Sequence, residues 1–378
     1  MLEPTPQVLL SLARIAARGK RGSRDVARFM LDVDRHTLAL CRDLADQSYT
    51  PQLGRCFRIT DPKPRPIYAL PFRDRVAQHY LIAATLPATE RRLVAQSYAC
   101  RTGKGTHRAL RRAIELTRQR RFVLRLDVQK FFASIDHELL RRALEPTTPR
   151  QLRWLRDRFI DAPLPSGAIE RVHAYFPGDD LWTPLERPHG LPIGSLTSQI
   201  WANVYLSPLD QLLASSLGLG DFVRYCDDVL VFADDRERLR DALAAGRERL
   251  FALRLQLHPT KSRLHRTQDP VGFVGFVLRR RGDAVAIRLQ QDNIRRMRAV
   301  AHTMQAEYAC GWLTPAEVTA RLQCWLAYTR HGHTRTLLER EHHRWVFRRA
   351  RWWGSEQDPG PGRAVPAWVG GGPARGPA

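Results

Sequence analysis

Lysine is scarce in this chain. Of its 61 basic residues only Lys20, Lys63, Lys104, Lys130 and Lys261 are lysines. The rest are arginines, which stay protonated at any working pH, so a retained lysine invites a reason. Acidic residues are also short, 38 against 61, leaving a formal net charge of +23. The basic residues are spread along the chain rather than held in one tail, which points to an extended polyanionic partner, most simply nucleic acid. Charge alone does not separate an enzyme from a passive RNA-binding protein. Long apolar runs are missing too. None approaches a membrane span, and the N-terminus lacks the apolar core of a signal peptide, so no membrane partner is expected. The six cysteines (Cys41, Cys56, Cys100, Cys226, Cys310, Cys324) form no CxxC pair and no metal-ligand spacing. They read as reduced thiols of a cytoplasmic protein, which argues against a disulfide scaffold or a zinc site. There are no internal repeats.

What is present is length and periodicity. A chain of 378 residues buries a full core and divides into two or three subdomains. Residues 1–50 carry two helical apolar stripes, Leu9 to Ala16 and Val26 to Leu44, separated at Gly19–Gly22. Residues 55–70, cut by three prolines, suggest an edge ribbon whose basic tip holds Lys63 and Arg65. Helical periodicity returns over Phe72–Leu86 and Arg108–Arg118, with a glycine-broken basic loop between them. Residues 161–189, rich in proline, read as an irregular insertion. Helices are expected over Arg236–Leu253, Gln291–Ala309, Ala316–Thr329 (Thr314 its cap) and Thr334–Trp353. A second hairpin is expected over Val271–Leu278 and Ala284–Leu289, and the Gly/Pro-rich stretch from Gly354 reads as disordered.

The chemistry gathers on aspartates. Phe222–Phe232 places two β-prone apolar runs around Asp227-Asp228, a hairpin with carboxylates at its tip. Alone, the pair is compatible with a solvated turn. A third aspartate, Asp127, ends the apolar strand FVLRLDV over 122–128, where it must find a cation, a proton or water. Asp136 caps the helix that follows, and Phe131-Phe132 can split between core and site. Gly190-Leu-Pro-Ile-Gly-Ser-Leu-Thr-Ser-Gln199 has the composition of a loop that permits close approach and then starts a helix. LQLHPTKS reads as an extended run ending in Lys261. Nucleotidyl transfer needs two divalent ions about 4 Å apart, and magnesium accepts a few carboxylates plus water and phosphate oxygens. Departing pyrophosphate needs a proton, which lysine can supply and arginine cannot; that gives Lys261 a rationale.

In combination and in this order, these motifs resemble the reverse transcriptases, from about Tyr49 to Leu278 with helical flanks. FVLRLDVQKFF looks like the strand of the first metal-binding aspartate, YCDD like the Tyr-x-Asp-Asp box, LHPTKS like the following lysine element and GFVGF like the primer-grip hairpin. The resemblance implies an α+β right-hand polymerase. A helical extension over 1–50 would precede fingers over 51–120, an antiparallel palm over 121–280, a helical basic thumb over 281–353 and the tail over 354–378. It implies Asp127 and Asp227 as ligands of two Mg²⁺ ions, or Mn²⁺, with Asp228 assisting and the Val128 carbonyl completing a shell. Phe132 would be the steric gate against a 2′-hydroxyl, and Lys63 and Arg65 the triphosphate contacts. RNA template, primer or cDNA, and dNTPs are the implied partners.

Most reverse transcriptases read Gln-Gly, then three residues, then Ser-Pro, where this chain has Ile193-Gly194 and then Ser198-Gln199. That form, with FRDRVAQHYL and SYACRTGKGTH, is similar to the enzymes of diversity-generating retroelements, which copy a template-repeat RNA with frequent errors at adenines. Those enzymes work with a small basic accessory variability protein. An isoleucine at 193 can only pack where glutamine could hydrogen-bond the incoming nucleotide, a rationale for weakened discrimination. The alternatives are a retron or group II intron-type reverse transcriptase, or a catalytically silent RNA-binding or maturase-like protein.

Overall fold

The computed structural model describes residues 3–59, 64–170 and 172–350. Lys63, Arg351, Trp352, Trp353 and the tail from Gly354 lie outside them. The chain divides into two compact units, Met1–Arg21 with Asp25–Gln290, and Gly22–Arg24 with Gln291–Ala378. No helix of the described residues is long and apolar enough to cross a membrane.

The first unit opens with α1 (Pro6–Ala16), α2 (Arg24–Leu31) and α3 (Val33–Ala45). Thr5 caps α1 by accepting from the Val8 amide, and Leu9, Leu12, Ala13 and Ala16 form its buried stripe. The second stripe of the sequence is not one helix. Asp32 leaves the helical region (φ −130°, ψ 51°), which ends α2 and lets α3 turn Leu40 and Leu44 inward while Leu38 faces out.

The basic ribbon forms as expected. β1 (Arg55–Ile59) and β2 (Arg65–Ala69) pair antiparallel, from Arg55↔Ala69 to Ile59↔Arg65. Helix α4 (Phe72–Arg92) continues past Leu86 through Pro87, and α5 (Thr106–Gln119) follows the glycine-broken loop. β3 (Phe122–Asp127) leads through the short α6 (Phe131–Ser134) into α7 (His137–Leu144), where Asp136 accepts from the Leu139 amide at 2.9 Å. Then come α8 (Arg153–Ile160), the insertion with its single turn α9 (Thr183–Glu186), α10 (Leu196–Tyr205) and α11 (Ser207–Gln211).

β4 (Phe222–Tyr225), β5 (Asp228–Ala233), α12 (Arg236–Ala252) and β6 (Arg263–Arg266) complete a four-stranded sheet of order β4-β5-β3-β6, antiparallel throughout. Alternation along β3 buries Leu124 and Leu126 in the main core and puts Arg125 and Asp127 together on the other face. The expected second hairpin is a three-stranded meander of β7 (Val271–Phe273), β8 (Phe276–Arg281) and β9 (Ala284–Leu289). GFVGF is itself a tight turn, because Val274 (φ 40°) and Gly275 (φ 86°) adopt left-handed backbone. The sheets and helices together make a mixed α and β fold with antiparallel sheets.

The second unit is helical. α13 (Gln291–Ala309) buries Ile294, Met297, Ala301 and Met304, and α14 (Pro315–Thr329) starts on a reciprocal Thr314–Glu317 capping box. α15 (Arg335–His342) stops eleven residues short of the Trp353 expected from its composition. Arg344 and Arg348 would repel at i,i+4 spacing on a longer helix. Instead the following backbone lies along α13. Gln305 donates to the Arg344 and Val346 carbonyls, Arg349 to the Tyr308 carbonyl, and the Ala350 amide to Ala309.

Candidate active site

The site is built on the end of β3 and the turn between β4 and β5. Asp127 and Asp228 are direct cross-strand partners, the last pair of the β3–β5 ladder. Asp227 sits one residue earlier, in a two-residue turn closed by the Tyr225↔Asp228 pair. The first turn residue is Cys226, at φ 55°, where glycine would be unstrained. Burial, then the Asp227 charge, push the Cys226 thiol up to about 12, which makes it a poor nucleophile. Thr106 at the start of α5 donates to the Tyr225 hydroxyl at 3.0 Å.

The segment after α12 wraps the end of β3. The His258 amide donates to the Asp127 carbonyl at 2.7 Å, and Ser262 Oγ bonds both the Asp127 amide and its carbonyl at 3.2 Å. Lys261 therefore lies in a turn rather than at the end of an extended run; the strand begins at Arg263, beyond Pro259 and the turn. That turn brings Lys261 Nζ within 3.1 Å of Asp127 Oδ1.

Charge at this point is crowded. Burial raises the Asp227 carboxyl above its usual range, and the Asp127 charge raises it further, against the opposing pull of Arg65 and Lys261. Burial carries Asp228 up to about 7 despite the Arg125 guanidinium beside it, with Asp227 and Asp127 adding to the rise. A divalent cation would relieve this repulsion, and carboxylate oxygens are the hard donors magnesium takes. Among the described residues, however, no three His, Cys, Asp or Glu side chains form a group that could hold an ion. Two carboxylates with water and substrate oxygens satisfy magnesium, so the donor chemistry fits, with the geometry held by Lys261 and Arg125.

The other residues expected at the site fall on β2, the junction of β3 with α6, the 190–194 loop and α10. Arg65 opens β2, close enough to act electrostatically on Asp227. Val128 is buried and its neighbour Gln129 donates to the Gln256 carbonyl. Phe132 is half-buried, packs on the buried Phe131, and its carbonyl accepts from the Leu191 amide at 2.8 Å. That bond ties the 190–194 loop to the strand-to-helix junction. Ile193 accepts from the Tyr68 amide at 2.8 Å, so the same loop also grips β2. Gly194 has φ 113°, and a Cβ there would lie 2.8 Å from the Tyr68 carbonyl oxygen. Ser198 is buried, at 1% exposed, on the inner face of α10, whereas Gln199 is exposed with Oε1 near Cys100 Sγ.

Three positioning groups were not singled out from sequence. Gln78 of α4 is buried and donates to Ser195 Oγ and Thr197 Oγ1, while accepting from the Leu196 amide, so it fixes the start of α10. Arg224 is fully buried behind the Asp-Asp turn, and Arg125 stands on the site face of β3. The last two share a readable signal, a charged residue inside an otherwise apolar strand.

Residues 60–278, more than half of the chain, match the family model described as reverse transcriptase (RNA-dependent DNA polymerase). A comparison with curated proteins found no match.

Proposed function

The chain belongs to the reverse transcriptase family and is an RNA-directed DNA polymerase, a nucleotidyltransferase; from that premise we propose that it copies a template-repeat RNA into adenine-mutagenised cDNA for a diversity-generating retroelement. The observation that carries the catalytic part is the pairing of Asp127 with Asp228 across β3 and β5, with Lys261 Nζ 3.1 Å from Asp127. The subgroup rests on Ile193-Gly194, in the loop that grips the ribbon, and on Gln199 in the helix after it.

In this reading the hand has fingers over 51–120, a palm over 121–280 and a thumb over 281–353. Reverse transcriptases generally use divalent metals such as Mg²⁺, which supply Lewis-acid activation and charge neutralisation when bound. Asp127, Asp227 and the Val128 carbonyl would hold them here, with Asp228 assisting. Lys261 holds the proton that the departing pyrophosphate takes up, on a side chain able to reach the edge of the site. Arg65, with Lys63, binds the triphosphate of the incoming dNTP. Phe132 packs where a 2′-hydroxyl would stand, and Ile193 and Gly194 form the floor beneath the base and sugar. Ser198 acts from inside α10 by shaping that floor, and Gln199 faces the nucleotide. The partners are RNA template, cDNA or primer, dNTPs and a small basic accessory variability protein.

Primer extension on a homopolymer RNA template with Mg²⁺ tests the catalytic reading. Wild type should extend, and Asp227→Ala with Asp228→Ala should not, while both bind RNA alike. A wild-type protein that binds the template and extends nothing would instead be a silent RNA-binding protein. On a mixed-sequence template the errors should concentrate at adenines, and an even error spectrum would rule out the retroelement assignment.

A further inference from the structure

Arg125 lies across the sheet face that carries Asp127 and Asp228. It stands two residues before Asp127 on β3, so the two side chains share a face, and its direct cross-strand partner is Leu230. From there it reaches the diagonal position. Nε lies 3.0 Å from Asp228 Oδ1 and Nη2 lies 3.2 Å from Asp228 Oδ2, a two-point fork on the carboxylate. The same Nη2 is 3.8 Å from Asp127 Oδ2. All three side chains are largely shielded, at 23%, 20% and 14% exposed for Arg125, Asp228 and Asp127.

A glycine borders the arginine. On its other side stands Gly272 of β7, where an added Cβ would lie 3.5 Å from Arg125 Nη1 and 2.8 Å from the Gln290 amide nitrogen. A side chain at 272 would meet the end of the Gln290 side chain first and Arg125 only at ordinary contact distance. Lys261 differs in kind. It makes a single-point contact with Asp127 on a flexible stem and is 39% exposed, so it can depart.

Building on the polymerase reading, we infer that Arg125 is a positioning residue and a resident cation of the active site. It holds both oxygens of Asp228, leaving Asp127 and Asp227 as the principal ligands of the catalytic ions. A permanent positive charge beside those carboxylates also raises the divalent-ion concentration that the site requires. Arg125 thereby sets the metal threshold of the enzyme while touching neither substrate nor the reacting atoms.

The test is Mn²⁺ binding by the full chain at pH 8, read as loss of the free-ion electron paramagnetic resonance signal, with no nucleotide present. Wild type should bind Mn²⁺ in a manner abolished by Asp127→Ala with Asp227→Ala. Arg125→Met should bind it about threefold to tenfold more tightly, because a like charge next to the ion has gone. Arg125→Lys should restore wild-type affinity, and Arg125→Gln repeats the charge removal should the Met variant fold poorly. The Mg²⁺ concentration for half-maximal primer extension should fall in the neutral variants. Unchanged or weaker Mn²⁺ binding in both neutral variants overturns the inference while leaving the polymerase reading intact. Absence of any binding in wild type that depends on Asp127 and Asp227 overturns it as well, and primer extension then decides the polymerase reading by itself.

Discussion

Arg224 and Asp210 form an ion pair in which neither side chain has any solvent exposure, with Nε to Oδ1 at 2.7 Å and Nη2 to Oδ2 at 2.6 Å. The same guanidinium donates to Asn203 Oδ1 at 2.9 Å and to the Cys226 carbonyl at 3.1 Å. Asn203 in turn donates to the Ala99 carbonyl. One buried arginine thus ties the Asp-Asp turn to α10, α11 and the loop before α5, and it holds Cys226 in its left-handed conformation.

Breaking that pair should be costly, because the surviving charge stays buried without a partner. Arg224→Met or Asp210→Leu should each lower stability by about 3–5 kcal/mol, and the double replacement should recover a large part of that loss. Urea unfolding of the four proteins gives the cycle directly. Additive losses would mean that the two residues act independently and that the pair does not anchor the turn.

Gly194 makes a second expectation. Its φ of 113° and its approach to the Tyr68 carbonyl leave no place for a methyl group. Gly194→Ala should destabilise by about 1–3 kcal/mol and displace β2 from the 190–194 loop. Since β2 carries Arg65, the KM for dNTP should rise more than kcat falls. A thermal melt together with steady-state extension checks both. A variant with wild-type melting temperature would show that the loop yields without cost.

Acid should loosen the same junction. Burial lowers the His137 pKa below its ordinary 6.5, while its Nε2 contact with the Gly190 carbonyl, 2.8 Å away, opposes that shift. His79 and His265 are lowered by burial as well. A histidine whose pKa is depressed on folding contributes its full stability above the unfolded value. That contribution drains away as pH falls from about 6.5 through the folded value, where the unfolded chain binds more protons. Asp228, raised by burial to about 7, gains stability over the same range, so the histidine effect is read as a difference: from pH 7.5 to pH 5.5 the urea midpoint of wild type should fall relative to that of His137→Gln. Equal changes in the two proteins would locate the effect elsewhere.

Much of this architecture was legible in the chain. The apolar runs around Asp127 and Asp227-Asp228 defined β3, β4 and β5, because strand alternation is a direct imprint of a half-buried sheet. Left-handed turns were less so. Cys226 and Val274 carry φ values of 55° and 40° that no residue preference encodes, so the pattern of Val271–Leu278 reads as one arm of a hairpin although a turn divides it. Lys261 was placed by its motif but not by its conformation, since Leu255-Gln-Leu alternates up to the turn. Arg125 and Arg224 were hidden by abundance. In so arginine-rich a chain each looked ordinary, although an arginine within FVLRLD or FVRY has to find a buried partner.

Ile193 offers the sharpest test of the mutagenic reading. Its backbone is committed to the ribbon through the Tyr68 amide, so a substitution there changes the side chain without freeing the loop. Isoleucine offers the nucleotide shape alone. A glutamine amide on the same half-buried stem adds one polar contact sensitive to base-pair geometry, and one such hydrogen bond is worth about 1 kcal/mol, or roughly fivefold in discrimination. Ile193→Gln should therefore lower misincorporation opposite template adenines by about that factor, with a smaller change opposite the other bases. Sequencing cDNA from a primed RNA template measures both. If the adenine error rate of the variant equals that of wild type, Ile193 serves only to pack under the loop, and the source of infidelity must lie in another contact with the nucleotide.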